Sequence, residues 1–503
     1  MPFAFTLWLA LFPALTSGKE CAACHPKEVS GYQKSAMAHS LAIAGEQPDG
    51  TFEQASSGTR FESRGTATGV WQSFERHGES GKLKVEYAIG SGSHAVGYLA
   101  EVGDRLFQSP LSYYTSRRMW DVAPGYEQTP EPDFSRPVTV ECLTCHADKP
   151  LPLIDTLNGY QVPPFAGMSI QCDRCHGPVE AHLRKPIPGS IINPAKLAPA
   201  ARDSICEQCH LAGQTRIPDA GKAIADFRPG ERVEDVFTVY VTAHSSDREI
   251  KVVSHSEQLA LSACARNSGG KLWCGTCHNP HDKPDEPAVY YRERCLTCHA
   301  AKLARTHGLP DRNCVGCHMP RRPAKDGGHT AFTDHRITRH IEPEGAATQG
   351  GDLTAWREPA PEVRKRNLAM ALATEGIQSS VPAQVIRGYR MLNRMDLKDD
   401  AAALTVLGSV LLTAKEPREA ERRFARALAL RPNYAPYEVN LAEALVQEAD
   451  LSHASEHLER ALALDPLLQN AVRMLEQVYR AQGQATKASQ IIDRYKKSMG
   501  ISD

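Results

Sequence analysis

The chain has 503 residues, 58 Lys and Arg against 59 Asp and Glu, and a formal net charge of −1. That length exceeds one ordinary domain. A charge so close to zero argues against nucleic acid or an anionic membrane as the general partner.

The chain opens on an apolar run, PFAFTLWLALFPALTS from Pro2 to Ser17. It is too short to span a bilayer comfortably and ends in small residues, which is the pattern of a secretory signal. Thr16-Ser17-Gly18 fits a cleavage site just before Lys19, so a signal peptide is expected over 1–18, although no Lys or Arg precedes the apolar run. No later segment is long and apolar enough to cross a membrane. The mature chain is therefore expected to be exported without a transmembrane segment, into the periplasm of a bacterium.

Fourteen of the fifteen cysteines fall in seven CxxCH motifs. These are Cys21-Cys24-His25, Cys142-Cys145-His146, Cys172-Cys175-His176, Cys206-Cys209-His210, Cys274-Cys277-His278, Cys295-Cys298-His299 and Cys314-Cys317-His318. CxxCH is the attachment signature of c-type haem. The two thiols form thioethers to the porphyrin and the histidine meets the iron. Zinc sites would pair CxxC units with no need for a histidine after each, a redox dithiol would occur once, and a disulfide framework would vary its spacings. The invariant pattern thus predicts seven covalently attached c-type haems, attached outside the cytoplasm. Cys264 is left over and reads as a buried thiol acting as a small hydrophobe.

The haem region, 19–345, offers fewer than fifty residues per motif. The haems are expected to supply much of its core, inside a mainly α polypeptide of short helices and loops with regular sheet scarce. One exception lies between His25 and Cys142. Lys82–Ile89 reads KLKVEYAI, with the alternation of a strand. Gly103-Asp104 suits a hairpin turn before Leu106-Phe107. A small β-rich insert is expected around 60–110.

Each motif histidine leaves one axial position of its iron open. Of the thirteen other histidines, His453 and His457 lie in helical repeats, His77 and His244 in polar surroundings, and His340 near the end of the region. Eight candidates for distal ligands remain: His39, His94, His182, His255, His281, His307, His329 and His335. His182 follows its motif by six residues and His281 by three. Neither comfortably reaches the far face of its own haem, so each is better placed for a neighbouring one. His94 sits in the run Ile89-Gly-Ser-Gly-Ser-His94, whose glycines allow close approach of the backbone to a porphyrin. Met37, Met119, Met168 and Met319 are the alternative ligands, although Met319 adjoins His318 and cannot reach the opposite face of that haem. Two imidazoles give low potentials and a thioether raises them, so mostly low-potential haems are expected.

The stretch 343–361 is rich in Gly, Pro, Ala and Thr, and a linker is expected over 346–361. Beyond it the composition becomes helical, with a degenerate helical pair over 362–400. Over 401–503, Ala420, Ala454 and Ala488 recur every 34 residues, as do Ala427 and Ala461, Pro432 and Pro466, and Leu407, Leu441 and Leu475. Leu407-Gly408, Ala420, Phe424, Ala427 and Pro432 have tetratricopeptide spacing, which predicts an α-solenoid. The third unit carries Tyr495 at the second small position, as a capping repeat would.

The strings IGSGSHAVGYL, CDRCHGPVEAH, KLWCGTCHNPH, and CVGCHMP followed by HTAFTDHRI resemble bacterial multihaem cytochromes of the cytochrome c-554 type with a C-terminal tetratricopeptide (TPR) region. The wider clan includes hydroxylamine oxidoreductase and the multihaem nitrite reductases. The resemblance implies a periplasmic electron-transfer protein with mostly bis-histidine haems, and distal-ligand roles for His39, His94, His182, His255, His281 and His335. His307 and His329 complete the set of candidates. The chain departs from the clan in having no CxxCK motif, and its seven motifs exceed the four of the tetrahaem member.

Two functions follow. In one, the haems carry electrons between redox partner proteins, and the TPR surface docks one of them or another copy of the chain. In the other, one open haem acts on a small nitrogen or sulfur compound, with Tyr113, Tyr114, Arg117 and Arg118 of SYYTSRRMW as the candidate cluster. A third reading makes the repeats the working part of a scaffold or redox sensor.

Overall fold

The strand Glu79–Ile89 (β5) organises the first part of the fold. The computed structural model describes residues 18–45, 47–242, 250–299, 313–338 and 351–502. The expected signal peptide and His307 therefore lie outside the described residues, apart from Gly18. β5 is preceded by Leu41–Ile43 (β1), Gly50–Gln54 (β2), Thr59–Thr66 (β3) and Gly69–Arg76 (β4), and followed by Gly97–Val102 (β6) and Arg105–Gln108 (β7). The antiparallel order runs β2-β3-β4-β5-β6-β7. β1 also pairs with β5, opposite Tyr87 to Ile89. A hairpin of Leu111–Tyr114 (β8) and Met119–Val122 (β9) packs against this sheet, and the Trp120 indole nitrogen donates to the Pro48 carbonyl at 3.1 Å. Sheet therefore extends from 41 to 122, well beyond an insert of 60–110. The outer strands had no strict alternation to betray them.

β5 serves two cores because its register shifts between Val85 and Tyr87. Successive odd residues of a regular strand share a face, and a bulge breaks that rule. Val85 joins Phe61, Phe74, Tyr98, Phe107 and Trp120 in one cluster. Tyr87 joins Leu99, Leu106, Tyr160 and Phe165 in another, which also takes in Leu143 and Ala147 beside the second CxxCH motif. The sheet thus seats that motif on one of its faces.

The C-terminal region is an array of paired helices. Pro361–Gln378 packs on Pro382–Leu392, Ala401–Thr413 on Pro417–Leu430, Ala435–Gln447 on Leu451–Leu464, and Gln469–Ala481 on Ala485–Ser498. Small residues set the close crossings. A Cβ on Gly388 would lie 2.6 Å from the Ala373 nitrogen, and one on Gly408 would run into the Phe424 ring. Ala420, Phe424 and Ala427 are the buried residues of Pro417–Leu430. Ala454, Leu458 and Ala461 repeat that pattern 34 residues on. This is the tetratricopeptide arrangement that the spacing predicts.

The stretch expected as a linker holds a strand, Leu353–Ala355, which pairs with Phe237–Thr242, itself paired with Thr215–Pro218. Glycine and proline flank this strand and mask its three sheet-forming residues in a compositional reading. The repeats are also joined directly to the sheet. Tyr495, standing where Ala427 and Ala461 stand in their units, is buried with Val472 and Met499 in the cluster of Phe61 and Phe74. Ile501 and Ser502 pair with Gly81 and Ser80 of β5. Arg105 meets Asp465 at 3.3 Å with both side chains buried. Arg431 meets Asp155 at 2.9 Å. No helix among the described residues is long and apolar enough to cross a membrane.

Candidate cofactor-binding centres

Every motif lies in or beside a helix, the fourth at the end of Pro199–His210, the sixth at the end of Pro287–Leu296 and the second at the end of Val140–Leu143. The His25 nitrogen donates to the Cys21 carbonyl at 2.7 Å, His176 to Cys172 at 2.9 Å, His278 to Cys274 at 2.9 Å and His299 to Cys295 at 3.0 Å. Positions i, i+3 and i+4 of a helix share a face, so both thiols and the imidazole are presented together. None of the fifteen cysteines takes part in a disulfide. Several motif helices have no buried residue at all: Lys19–Ala22, Asp173–His176, Cys274–Cys277, Pro287–Leu296 and Cys314–His318. From 263 to 299, a stretch holding two motifs, no residue is buried.

The motifs lie against one another. The Cys145 sulfur is 4.0 Å from the Gln208 carbonyl, and the Cys209 sulfur is 4.0 Å from the Thr144 carbonyl, which joins motifs two and four. Cys21 and Cys172, Cys206 and Cys274, and Cys295 and Cys314 lie near enough to interact: burial and then Cys21 push the Cys172 thiol up, Cys274 and then burial push Cys206 up, and burial and then Cys314 push Cys295 up. Motifs one and three, four and five, and six and seven are thereby neighbours.

Three motif histidines face a second histidine. The ring centroids of His25 and His182 are 6.3 Å apart with planes 24° from parallel. Those of His176 and His281 are 5.8 Å apart at 20°, and those of His278 and His335 are 6.1 Å apart at 31°. A metal–imidazole bond of about 2 Å on each side puts the centroids of two trans imidazoles roughly 6 Å apart. At these separations His25 with His182, His176 with His281 and His278 with His335 are the pairs that would hold one metal ion between them. His210 and His255 are closer, at 5.0 Å, with their Nδ1 atoms 3.4 Å apart.

The hydrogen bonds behind these rings set their tautomers. His176 Nδ1 faces the Ile192 carbonyl at 2.8 Å, His318 Nδ1 the Thr338 carbonyl at 2.9 Å, and His335 Nδ1 the Thr333 carbonyl at 2.9 Å. A carbonyl only accepts, so Nδ1 carries the proton and Nε2 keeps its lone pair for a metal. His182 Nδ1 lies 2.8 Å from the Ser190 hydroxyl, which itself donates to the Ile187 carbonyl. Burial, followed by neighbouring His335 and His278, pushes His210 down to about 4. Burial and then His210 push His255 down to about 3. Both are neutral imidazoles at neutral pH, the form in which histidine binds metal. His146 Nδ1 is sealed from solvent without a hydrogen-bond partner.

The remaining candidates are placed differently. His39 Nε2 is 2.7 Å from the Gln33 carbonyl at an exposed site. His329 Nε2 binds the Asp121 carboxylate, with Tyr114 edge-on at 5.0 Å. His94 Nδ1 is 3.1 Å from Arg321 Nη2, and the Phe332 ring lies 4.5 Å from its own. Arg117 and Arg118 are exposed in the β8–β9 turn, whereas Tyr114 is buried and donates to the Val122 carbonyl at 2.8 Å. The four residues of SYYTSRRMW therefore do not form one cluster. Among the described residues no group of three or more His, Cys, Asp or Glu side chains is disposed to hold a metal ion on its own. Cys264 is half-buried rather than buried.

Glu207, Asp121 and Arg321 were not singled out in the sequence. Glu207, inside the fourth motif, accepts from the Trp356 indole at 3.0 Å and from Arg357 at 2.7 Å. It ties that motif to the strand that precedes the repeats. Its position between two motif cysteines is the one signal that could have marked it.

No family model matches the chain, and no curated protein is similar to it. Among solved structures, one of MamA is 19% identical over 27% of this chain and 80% of its own, with a TM-score of 0.25. A second structure of MamA is 19% identical over 27% of this chain and 74% of its own, also with a TM-score of 0.25. PilF of Pseudomonas aeruginosa is 22% identical over 26% of this chain and 59% of its own, with a TM-score of 0.24. Likeness at this level carries no argument, and the repeat architecture rests on the helix pairs themselves.

Proposed function

We propose that the chain is a periplasmic heptahaem c-type cytochrome that passes electrons between redox partners. The observation that carries this reading is the pairing of facing histidines with motifs that lack a core of their own. A segment such as 263–299, with no buried residue, cannot offset its conformational entropy by packing its own side chains. Haem bound through the two thiols of each motif would supply the missing apolar surface and the redox chemistry.

The facing pairs follow a rule. The first motif faces His182, just beyond the third; the third faces His281, just beyond the fifth; the fifth faces His335, beyond the seventh. In this reading each odd motif is bridged to the next odd one by a distal ligand, and the thiol contacts draw motifs two, four and six alongside. His25, His176 and His278 would be proximal ligands, with His182, His281 and His335 distal. That supports a continuous relay rather than isolated centres.

The TPR region supports protein docking in the coarse sense. Its inter-repeat turns are already engaged with the rest of the chain through Arg431, Asp465 and Gln469. The helix faces beyond those turns would be the surface that a redox partner meets.

Intact-mass and pyridine-haemochrome measurements should count seven covalent haems. Replacing His182 with Ala should convert one low-spin ferric haem to high-spin in the electron paramagnetic resonance spectrum. A chain without covalent haem would sink the reading, and an unchanged spin balance in H182A would sink the pairing rule.

A further inference from the structure

A cleft of about 450 Å³ lies at the seam between the segment 125–137 and the last helix pair. Tyr126, Thr129 and Arg136 line it from one side, and Gln469 and Arg473 of the helix Gln469–Ala481 from the other. A space of this size suits a small ligand. The buried Asp133 carboxylate joins the two sides. It accepts from the Gln469 amide at 3.0 Å and from the Ser135 backbone nitrogen at 2.9 Å, so both of its oxygens are already engaged.

Arg136 is held in place by the chain around it. Its backbone pairs with Gln108 of β7. Its Nη1 donates to the Pro124 carbonyl at 3.1 Å, and its guanidinium carbon lies 5.5 Å from the centre of the Tyr126 ring. Gly125 leaves room for this, because a Cβ there would run into Nη1 and lie 2.8 Å from Nη2. Among the described residues no carboxylate pairs with Arg136. Arg473 enters the same cleft from the repeats, and its own partner is loose. Its Nη2 is 3.7 Å from Glu131 Oε2, with the two side chains 54% and 61% exposed. An ion pair so exposed contributes little. Two guanidiniums from separate parts of the fold thus bring donors to one cleft, while the buried carboxylate beside them has its acceptors occupied.

We propose that this cleft binds a carboxylate, held between Arg136 and Arg473. The planar fork of arginine matches the paired oxygens of a carboxylate. A fork that is fixed beforehand loses less freedom on binding. Glu131 then competes with the ligand for Arg473, and the bound ligand ties the repeats to the segment 125–137. The carboxylate belongs to a small free acid or to the C-terminus of a peptide, and the two are separable by experiment. The site stands on these residues alone and is independent of the haems.

The test is calorimetric titration of the full-length holoprotein with succinate, and with acetyl-triglycine as the free acid and as its C-terminal amide. Succinate or the free-acid peptide should bind, and R136Q should weaken that binding about tenfold through loss of a charge-assisted pair. E131Q should strengthen it, because the ligand loses its rival for Arg473, and a folding defect cannot mimic that gain. Tighter binding of succinate would identify a free acid as the ligand, and tighter binding of the free-acid peptide would identify a chain terminus. The proposal is overturned if neither probe binds, if the amide binds as tightly as the free acid, if R136Q leaves the affinity unchanged, or if E131Q lowers it.

Discussion

Two helices of this protein make an instructive pair. Pro417–Leu430 in the repeats buries Ala420, Phe424 and Ala427 against its neighbours. Pro287–Leu296, which leads into the sixth CxxCH motif, buries none of its residues. Both start at a proline, which suits the first turn of a helix. One is held by its own side chains and the other is not. Helices in proteins owe most of their stability to tertiary packing, and in the proposed reading the second would find its packing against haem. The repeat helices are held by buried side chains, whereas Lys19–Ala22, Asp173–His176, Cys274–Cys277, Pro287–Leu296 and Cys314–His318 bury none of theirs.

Removing the attachment thiols of one motif should break this contrast most sharply. In a Cys274→Ala/Cys277→Ala double variant, amide protection across 263–299 should fall close to that of an unfolded chain, while the repeats keep theirs. Hydrogen exchange read by mass spectrometry would show it. Retained protection there would mean that the segment holds itself together.

A smaller effect is expected inside the repeats. Truncating Phe424 to Ala removes the ring that fills the space left by Gly408, and such a change in a packed core costs about 3–5 kcal/mol. Denaturant unfolding followed by far-ultraviolet circular dichroism should report the loss, with the haem spectrum unaltered. A loss confined to the haem signal would reverse the assignment of cores.

The smallest effect concerns Asp400, which bonds Arg366 at 2.8 and 3.1 Å and caps the Ala403 nitrogen at 3.0 Å. Burial raises its pKa, but these partners outweigh burial and hold the carboxyl below its ordinary value of 3.8. A depressed carboxyl stabilises the fold above the unfolded-state pKa, and that contribution is lost as pH falls through the folded-state value. D400N should therefore cost about 2 kcal/mol at neutral pH. The gap from wild type should close in acid below 3.8. A constant difference across that range would show that the charge of Asp400 is not what matters.

Legibility differed between these regions for physical reasons. The 34-residue period was readable because each unit repeats the same close crossings, at Ala420 and Ala454 among others. Tyr495 broke the pattern, and its role in the sheet core could not be read from the break. Lys82–Ile89 was recognisable as a strand from its alternation, but the change of register after Val85 was not. Linear spacing allowed the inference that His182 and His281 serve neighbouring motifs. It offered no means of naming His25 and His176 as their partners. His94 and His335 looked alike as ligand candidates, and only the atoms behind Nδ1, a guanidinium in one case and a carbonyl in the other, separate them.

What the amino-acid sequence determined alone is local. Seven CxxCH turns, the repeat period and the apolar alternation of β5 depend on residues a few positions apart, where covalent spacing dictates which side chains share a face. What tertiary structure decided is non-local. It brought Arg321 to His94, Asp121 to His329, Asp465 to Arg105 and Tyr495 to the sheet, across separations from 208 to 360 residues for the first three. Such contacts depend on how whole elements pack, and no spacing in the chain encodes them directly.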